Sequence, residues 1–162
     1  MAHKFPSIED PFERWVTRAV GAAKHLNLPL AFIEEAAAII RSAFGEEWIR
    51  QSLARPTYTP IISLHRHPVL DGLATAGPSQ CVELLELAVY LKRLVGVRNL
   101  ERVVKAMRKQ YAPGFLQLAY AYRFLKVGAT GMILEPSAES GRLADIACNL
   151  LGRRYLVESP VQ

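Results

Sequence analysis

The chain has 162 residues with 51% apolar, 22% charged and 9% aromatic side chains, which fits one globular domain and excludes disordered or collagen-like chains. No apolar run approaches the roughly 18 uninterrupted residues of a membrane-spanning helix, and MAHKFPSIEDPFERW has the character of neither a secretory leader nor a transit peptide. The two cysteines, Cys81 and Cys148, are far apart and outside any CxxC, which argues against a disulfide framework or zinc ribbon and makes a reducing cytoplasm the expected location.

The net charge of +5 is unevenly distributed. Residues 1–91 carry eight basic and ten acidic side chains, whereas residues 92–162 carry twelve basic and five acidic ones. A basic half of this kind points to nucleic acid, because phosphate neutralisation supplies much of the affinity in such complexes. The same charges also read as a solvated helix face.

Asp10 followed by Pro11 is a strong helix start, and Phe12, Trp15, Val16, Ala19 and Ala23 then recur at helical spacing as far as about His25. A second helix is expected from about Pro29 to Gly45, with Phe32, Ala36, Ile39, Ile40 and Ala43 inward, and a short third one from Glu46 to Ala54. Trp15, Phe32, Phe44 and Trp48 are the large core candidates of this segment, 1–54. Residues 55–79, rich in Pro, His, Gly and Thr with a strand-like run over 58–64, read as a connector.

The remainder, 80–162, opens with a helix capped by Ser79 that runs to about Val95 and is apolar enough to be largely buried. Asn99 then caps a helix to Tyr111 that buries Leu100, Val103, Val104 and Met107 and shows Arg98, Arg102, Lys105, Arg108 and Lys109 outward. Pro113 and Gly114 are expected to break it before a helix from Phe115 to Val127. Beyond Thr130 the pattern shortens to strands over 131–134, 142–149 and 154–157, with turns between them. The expected fold class is therefore α/β in the α+β sense, a helical N-terminal part followed by a small sheet.

If Leu150–Arg153 is a hairpin loop of two or four residues, Asn149 faces Arg154 and the count places Asp145 opposite Glu158. Directly opposed side chains have Cβ atoms about 4.5–5.5 Å apart, so two carboxylates there repel unless a cation such as Mg²⁺ lies between them. A three-residue loop would slip the register and destroy the pair.

The order helix, strand, strand with Asp145 in LADI, hairpin, strand with Glu158 in YLVES resembles the nuclease core of the PD-(D/E)XK, or restriction-endonuclease-like, superfamily over about residues 114–160. The resemblance implies a Mg²⁺-dependent deoxyribonuclease, with Asp145 and Glu158 as catalytic metal ligands and DNA as the partner. Glu135, after the first strand, is a candidate third ligand, and Arg154 shares a strand face with Glu158. The superfamily's Lys falls on Pro160, and the helix 115–127 has no acid. A substitute cation would have to come from Lys126, Arg142 or Arg154, of which an Arg serves as a phosphate clamp rather than a base. The superfamily core continues with a further helix and strand where this sequence stops at Gln162, so the resemblance implies a fragment or an incomplete, catalytically degenerate core.

The same acids also read as edge-strand charges paired with Arg142, Arg153 and Arg154, which makes a non-enzymatic helical interaction protein the alternative. Such a protein would act through self-association or a protein partner. His65, His67 and Asp71 make a weak metal-ligand pattern, Glu83 and Glu86 a helical acid pair, Tyr111, Tyr120 and Tyr122 candidate base-stacking rings or core, and Cys148 a core thiol. No GxSxG elbow, phosphate-binding Gly-rich loop, HExxH helix or dinucleotide fingerprint is present.

Overall fold

Asp10 starts the first helix in the computed structural model, which describes residues 10–25, 28–54, 67–135 and 144–158. Its Oδ1 accepts the Phe12 N–H at 2.9 Å, and Pro11 has no amide proton to leave unpaired, so the first two positions of α1 (Pro11–His25) leave no orphan donor. Oδ2 of the same carboxylate pairs with Arg41 at 2.7 Å and so ties the start of α1 to α2 (Leu30–Phe44). Gly45, at φ +77°, turns the chain into α3 (Glu46–Ala54). Trp15 and Phe44 are fully buried, but α2 turns Ile33, Ala36, Ala37 and Ile40 inward and leaves Phe32 and Ile39 half-buried at the border. Trp48 is likewise half-buried.

Part of the expected connector is helical. Residues 68–75 form α4 (Pro68–Thr75), with Pro68 in its first turn and Val69 and Leu73 buried, and it stops where Ala76 takes a left-handed φ of +47°. Its last carbonyls are satisfied from α1: Arg18 donates to Thr75 at 2.8 Å and Arg14 to Leu73 at 3.3 Å. The density of Pro, Gly and His around these eight residues hid the helix in the sequence, because only two apolar side chains mark its inner face. The expected strand over 58–64 lies outside the described residues.

The next helix, α5 (Pro78–Arg93), starts two residues earlier than expected, with Gly77 rather than Ser79 at its N-cap. Cys81, Leu84, Leu85, Leu87, Ala88 and Leu91 are buried along it, and α1, α2, α4 and α7 all lie against it. One apolar core therefore runs from Phe12 to Cys148, joining the residues on either side of 55–79. Val95 is the exception: α5 ends two residues before it, and it stands 76% exposed.

A short helix, α6 (Leu100–Met107), and a long one, α7 (Tyr111–Lys126), follow. Pro113 and Gly114 were expected to end a helix, yet they lie in the first turn of α7, where a missing N–H costs no hydrogen bond. A Cβ at Gly114 would overlap the Met107 side chain, so this glycine sets how closely α6 and α7 approach. The chain closes with an antiparallel sheet in the order β1 (Thr130–Leu134), β2 (Ile146–Leu150), β3 (Arg153–Val157). Leu134, Ile146 and Cys148 join the core from its inner face.

His67 stands at the junction of these parts, as the N-cap residue of α4. Its Nε2 donates to the Met107 carbonyl at 2.7 Å, and the rings of Trp48, Tyr111 and Phe44 meet it edge-on at 5.0, 5.3 and 6.0 Å. Burial lowers its pKa, and the Met107 carbonyl only partly offsets this. A histidine whose folded pKa lies below its unfolded value near 6.5 binds fewer protons folded than unfolded, so its neutral form favours the fold above that value and the advantage is lost as pH falls below it. The melting temperature is expected to fall from pH 7 to pH 5, and His67→Gln should flatten that slope; an unchanged slope would contradict this placement. Gly114→Ala is expected to cost about 1–3 kcal/mol in denaturant unfolding, because a buried methionine has to move.

Candidate nucleic-acid interface

Leu151 and Gly152 form the two-residue turn between β2 and β3, with φ of +50° and +75°, the type I′ geometry that matches strand twist. Asn149 consequently faces Arg154, which is the register the sequence count requires. The ladder nevertheless ends at Ile146 and Val157. Asp145 lies in the bend before β2, and its N–H donates to the Val157 carbonyl at 2.9 Å, so Asp145 and Ile146 share one partner, as in a bulge. The expected strand with a central Asp is therefore shorter: β2 begins one residue after Asp145, and Glu158 follows β3 just outside the ladder.

The cause is the Asp145 backbone. Its carbonyl accepts the Glu135 N–H at 2.8 Å and also the side-chain amide of Gln117, a buried polar residue of α7. Glu135, at φ +44°, ends β1 and turns its carboxylate to Arg102, with Oε2 at 2.9 Å from Nε. At 70% and 31% side-chain exposure this ion pair contributes about 1 kcal/mol or less to stability, but it orients both groups. Glu135, Asp145 and Glu158 thus lie at one end of the sheet, with Glu135 committed to a guanidinium. Among the described residues no group of three or more His, Cys, Asp or Glu side chains is placed to hold a metal ion. The acids of the expected pair, Asp145 and Glu158, would have to be supplemented by water and phosphate oxygens to complete the shell of a Mg²⁺ ion. Arg142 and Pro160 lie outside the described residues, as does His65, leaving His67 of that pattern engaged with Met107.

The basic residues divide by position. Arg98, Arg102, Lys105 and Lys109 follow one another at four-, three- and four-residue spacing, and all are exposed along and beside α6. Lys105 and Lys109 make no ion pair among the described residues. Arg108 is off this line: its guanidinium lies 5.9 Å from the Trp48 ring, and its Nε is buried. Arg154 is exposed on β3, and Lys126 stands over Tyr122 at 5.8 Å at the end of α7.

Asn99 was expected to cap α6 through its side chain. It instead adopts φ +69° and donates its side-chain amide to the Leu134 carbonyl at 2.8 Å, while Leu134 N–H donates to Arg98 at 3.1 Å. Those two bonds close the outer edge of β1 and fix where the cationic line begins.

Beside that line, α2, the end of α5 and α6 enclose an open groove of about 1,100 Å³. Ile39, Leu91, Val95 and Val104 line it, with Arg102 and Lys105 at its margin. The sequence pattern missed it because Val95 reads as one more buried position of α5, and the only signal was Gly96 directly after it. Of the candidate stacking rings Tyr111 is buried, stacked on Phe115 at 5.5 Å, whereas Tyr120 and Tyr122 are half-buried, with Tyr122 meeting Tyr90 at 5.3 Å. Burial, followed by the charge of Glu83, pushes the Tyr111 phenol well above its ordinary pKa, so that the acid pair Glu83 and Glu86 faces a neutral hydroxyl. Burial likewise pushes up the thiols of Cys81 and Cys148, which are core groups.

No family model matches the chain, and no curated protein or solved structure is similar to it. Among the described residues no helix is long and apolar enough to cross a membrane.

Gln117→Leu keeps the volume and apolar contacts of the residue but strips the Asp145 carbonyl of one donor. It is expected to cost about 1–3 kcal/mol in urea unfolding and to speed amide exchange at Glu135 and Ile146. Wild-type exchange rates at those amides would show that the bond does not hold the sheet.

Proposed function

We propose that this chain binds DNA through the cationic line Arg98, Arg102, Lys105 and Lys109, with the sheet serving to position α6 rather than to cut the phosphodiester backbone. The observation that carries this reading is the run of four exposed cations in and beside α6, with Arg102 and Lys105 on the helix and Arg98 and Lys109 flanking it, in the half of the chain that holds the excess positive charge. Phosphate contacts of this type bind without reading sequence. Hydrolysis is left out for chemical reasons: Glu135 is paired with Arg102, and the resemblance's Lys position holds Pro160. The nuclease-like order of α7 and the three strands is then a degenerate core that presents a basic helix.

Fluorescence anisotropy with a short duplex across a salt series tests this. With three or four phosphates neutralised, log affinity is expected to fall against log salt with a slope of about −3. Lys105→Ala with Lys109→Ala should reduce that slope by about 2, while Asp145→Ala leaves it unchanged. A slope near zero, or one the double variant does not alter, would reject the reading.

A second reading rests on the groove between α2 and α6. Its apolar lining and the exposed Val95 suit the amphipathic helix of a partner protein. It predicts no salt-dependent affinity for DNA, so the same titration separates the two.

A further inference from the structure

The two edges of the sheet are treated differently. The outer edge of β1 is closed by the bridge between Ile133 and Arg98 and by the Asn99 amide on Leu134. Among the described residues nothing pairs with the outer edge of β3, and β2 and β3 keep an unbroken register over their whole length. Arg153–Val157 contains no proline and no bulge, and its two charges, Arg153 and Arg154, lie together at the hairpin end. Tyr155 and Leu156 are instead 39% and 59% exposed, and Leu151 at the hairpin tip is 90% exposed.

The turn decides which backbone groups face outward. In a two-residue hairpin the residues flanking the loop, Leu150 and Arg153, form a hydrogen-bonded pair, and alternation then directs the amides of Tyr155 and Val157 toward β2. The N–H and C=O groups of Arg154, Leu156 and Glu158 point to the open edge. An antiparallel strand laid there pairs outward positions with outward positions. If that strand is a second copy of β3 with the two-fold axis at Leu156, Arg154 falls opposite Glu158 of the partner subunit, Tyr155 opposite Val157 of the partner subunit, and Leu156 opposite itself.

The strand is thus complementary to its own antiparallel copy, basic at one end and acidic at the other, with exposed apolar side chains between. A parallel copy would set Arg against Arg and Glu against Glu. We infer that β3 is a homodimerisation edge, on which a second copy of this chain adds antiparallel about Leu156 to give a continuous six-stranded sheet. The inference is independent of the DNA reading, since none of its residues belongs to the α6 line.

Sedimentation velocity of the full chain over a dilution series tests it. The wild type is expected to be a dimer that dissociates on dilution, as suits an interface of one strand per protomer. Arg154→Glu sets like charges opposite each other at two symmetric positions and should weaken dimerisation about tenfold or more. Combining it with Glu158→Arg restores the complementarity and should restore the dimer. Leu156→Lys, which opposes a lysine to its own copy, should give a monomer. Circular dichroism melts of these exposed-site variants, expected to match the wild type, separate loss of pairing from loss of fold. A wild type that is monomeric at every concentration, an open polymer, a dimer indifferent to Arg154→Glu, or a double variant no better than the single one would each overturn the inference.

Discussion

The carbonyl oxygen of Asp145 is the point on which the C-terminal half of the molecule turns. It accepts a hydrogen bond from Gln117 on α7 and another from the Glu135 backbone at the end of β1, while the N–H of the same residue reaches Val157 at the end of β3. One residue outside any strand therefore joins a helix and both outer strands. A buried glutamine is costly unless its amide is used, so Gln117 admits few arrangements in which α7 lies against the sheet with its donor satisfied.

Two consequences follow for the charged groups. Drawing the backbone at Asp145 inward ends the β2–β3 ladder one pair early, so Asp145 and Glu158 flank the hairpin instead of facing each other within it. Fixing Glu135 beside Asp145 sets its carboxylate against Arg102, and the bonds between Leu134 and the Arg98–Asn99 segment hold the start of α6 to β1. The sheet thus acts as a mount for α6. One of its acids, Glu135, orients one of the cations, and Lys105 and Lys109 of that line make no ion pair among the described residues.

Much of this was legible in the sequence wherever one local rule decided the outcome. Asp10–Pro11 marked the start of α1, Gly45 marked the boundary between α2 and α3, and the hairpin register followed once the turn was given an even length, which the two-residue Leu151–Gly152 turn supplies. What remained hidden depended on partners distant in the chain. Asn99 reads as a cap until Leu134 offers its carbonyl, and Pro113–Gly114 reads as a break until Met107 requires a bare Cα beside it. α4 needs two arginines of α1 to satisfy its end. At the candidate site the cationic line was visible as spacing, whereas the removal of Arg108 by Trp48 and of Glu135 by Arg102 was not, because neither contact leaves a trace in local pattern.

The central claim is that the sheet positions α6 as a phosphate-binding surface. Hydrogen exchange of the full chain with and without a short DNA duplex reports on it directly, residue by residue, without presuming which side chains matter. The account predicts that added protection is confined to residues 98–109 and disappears at high salt. Protection centred instead on residues 144–158, at the acids that flank the hairpin, would contradict it.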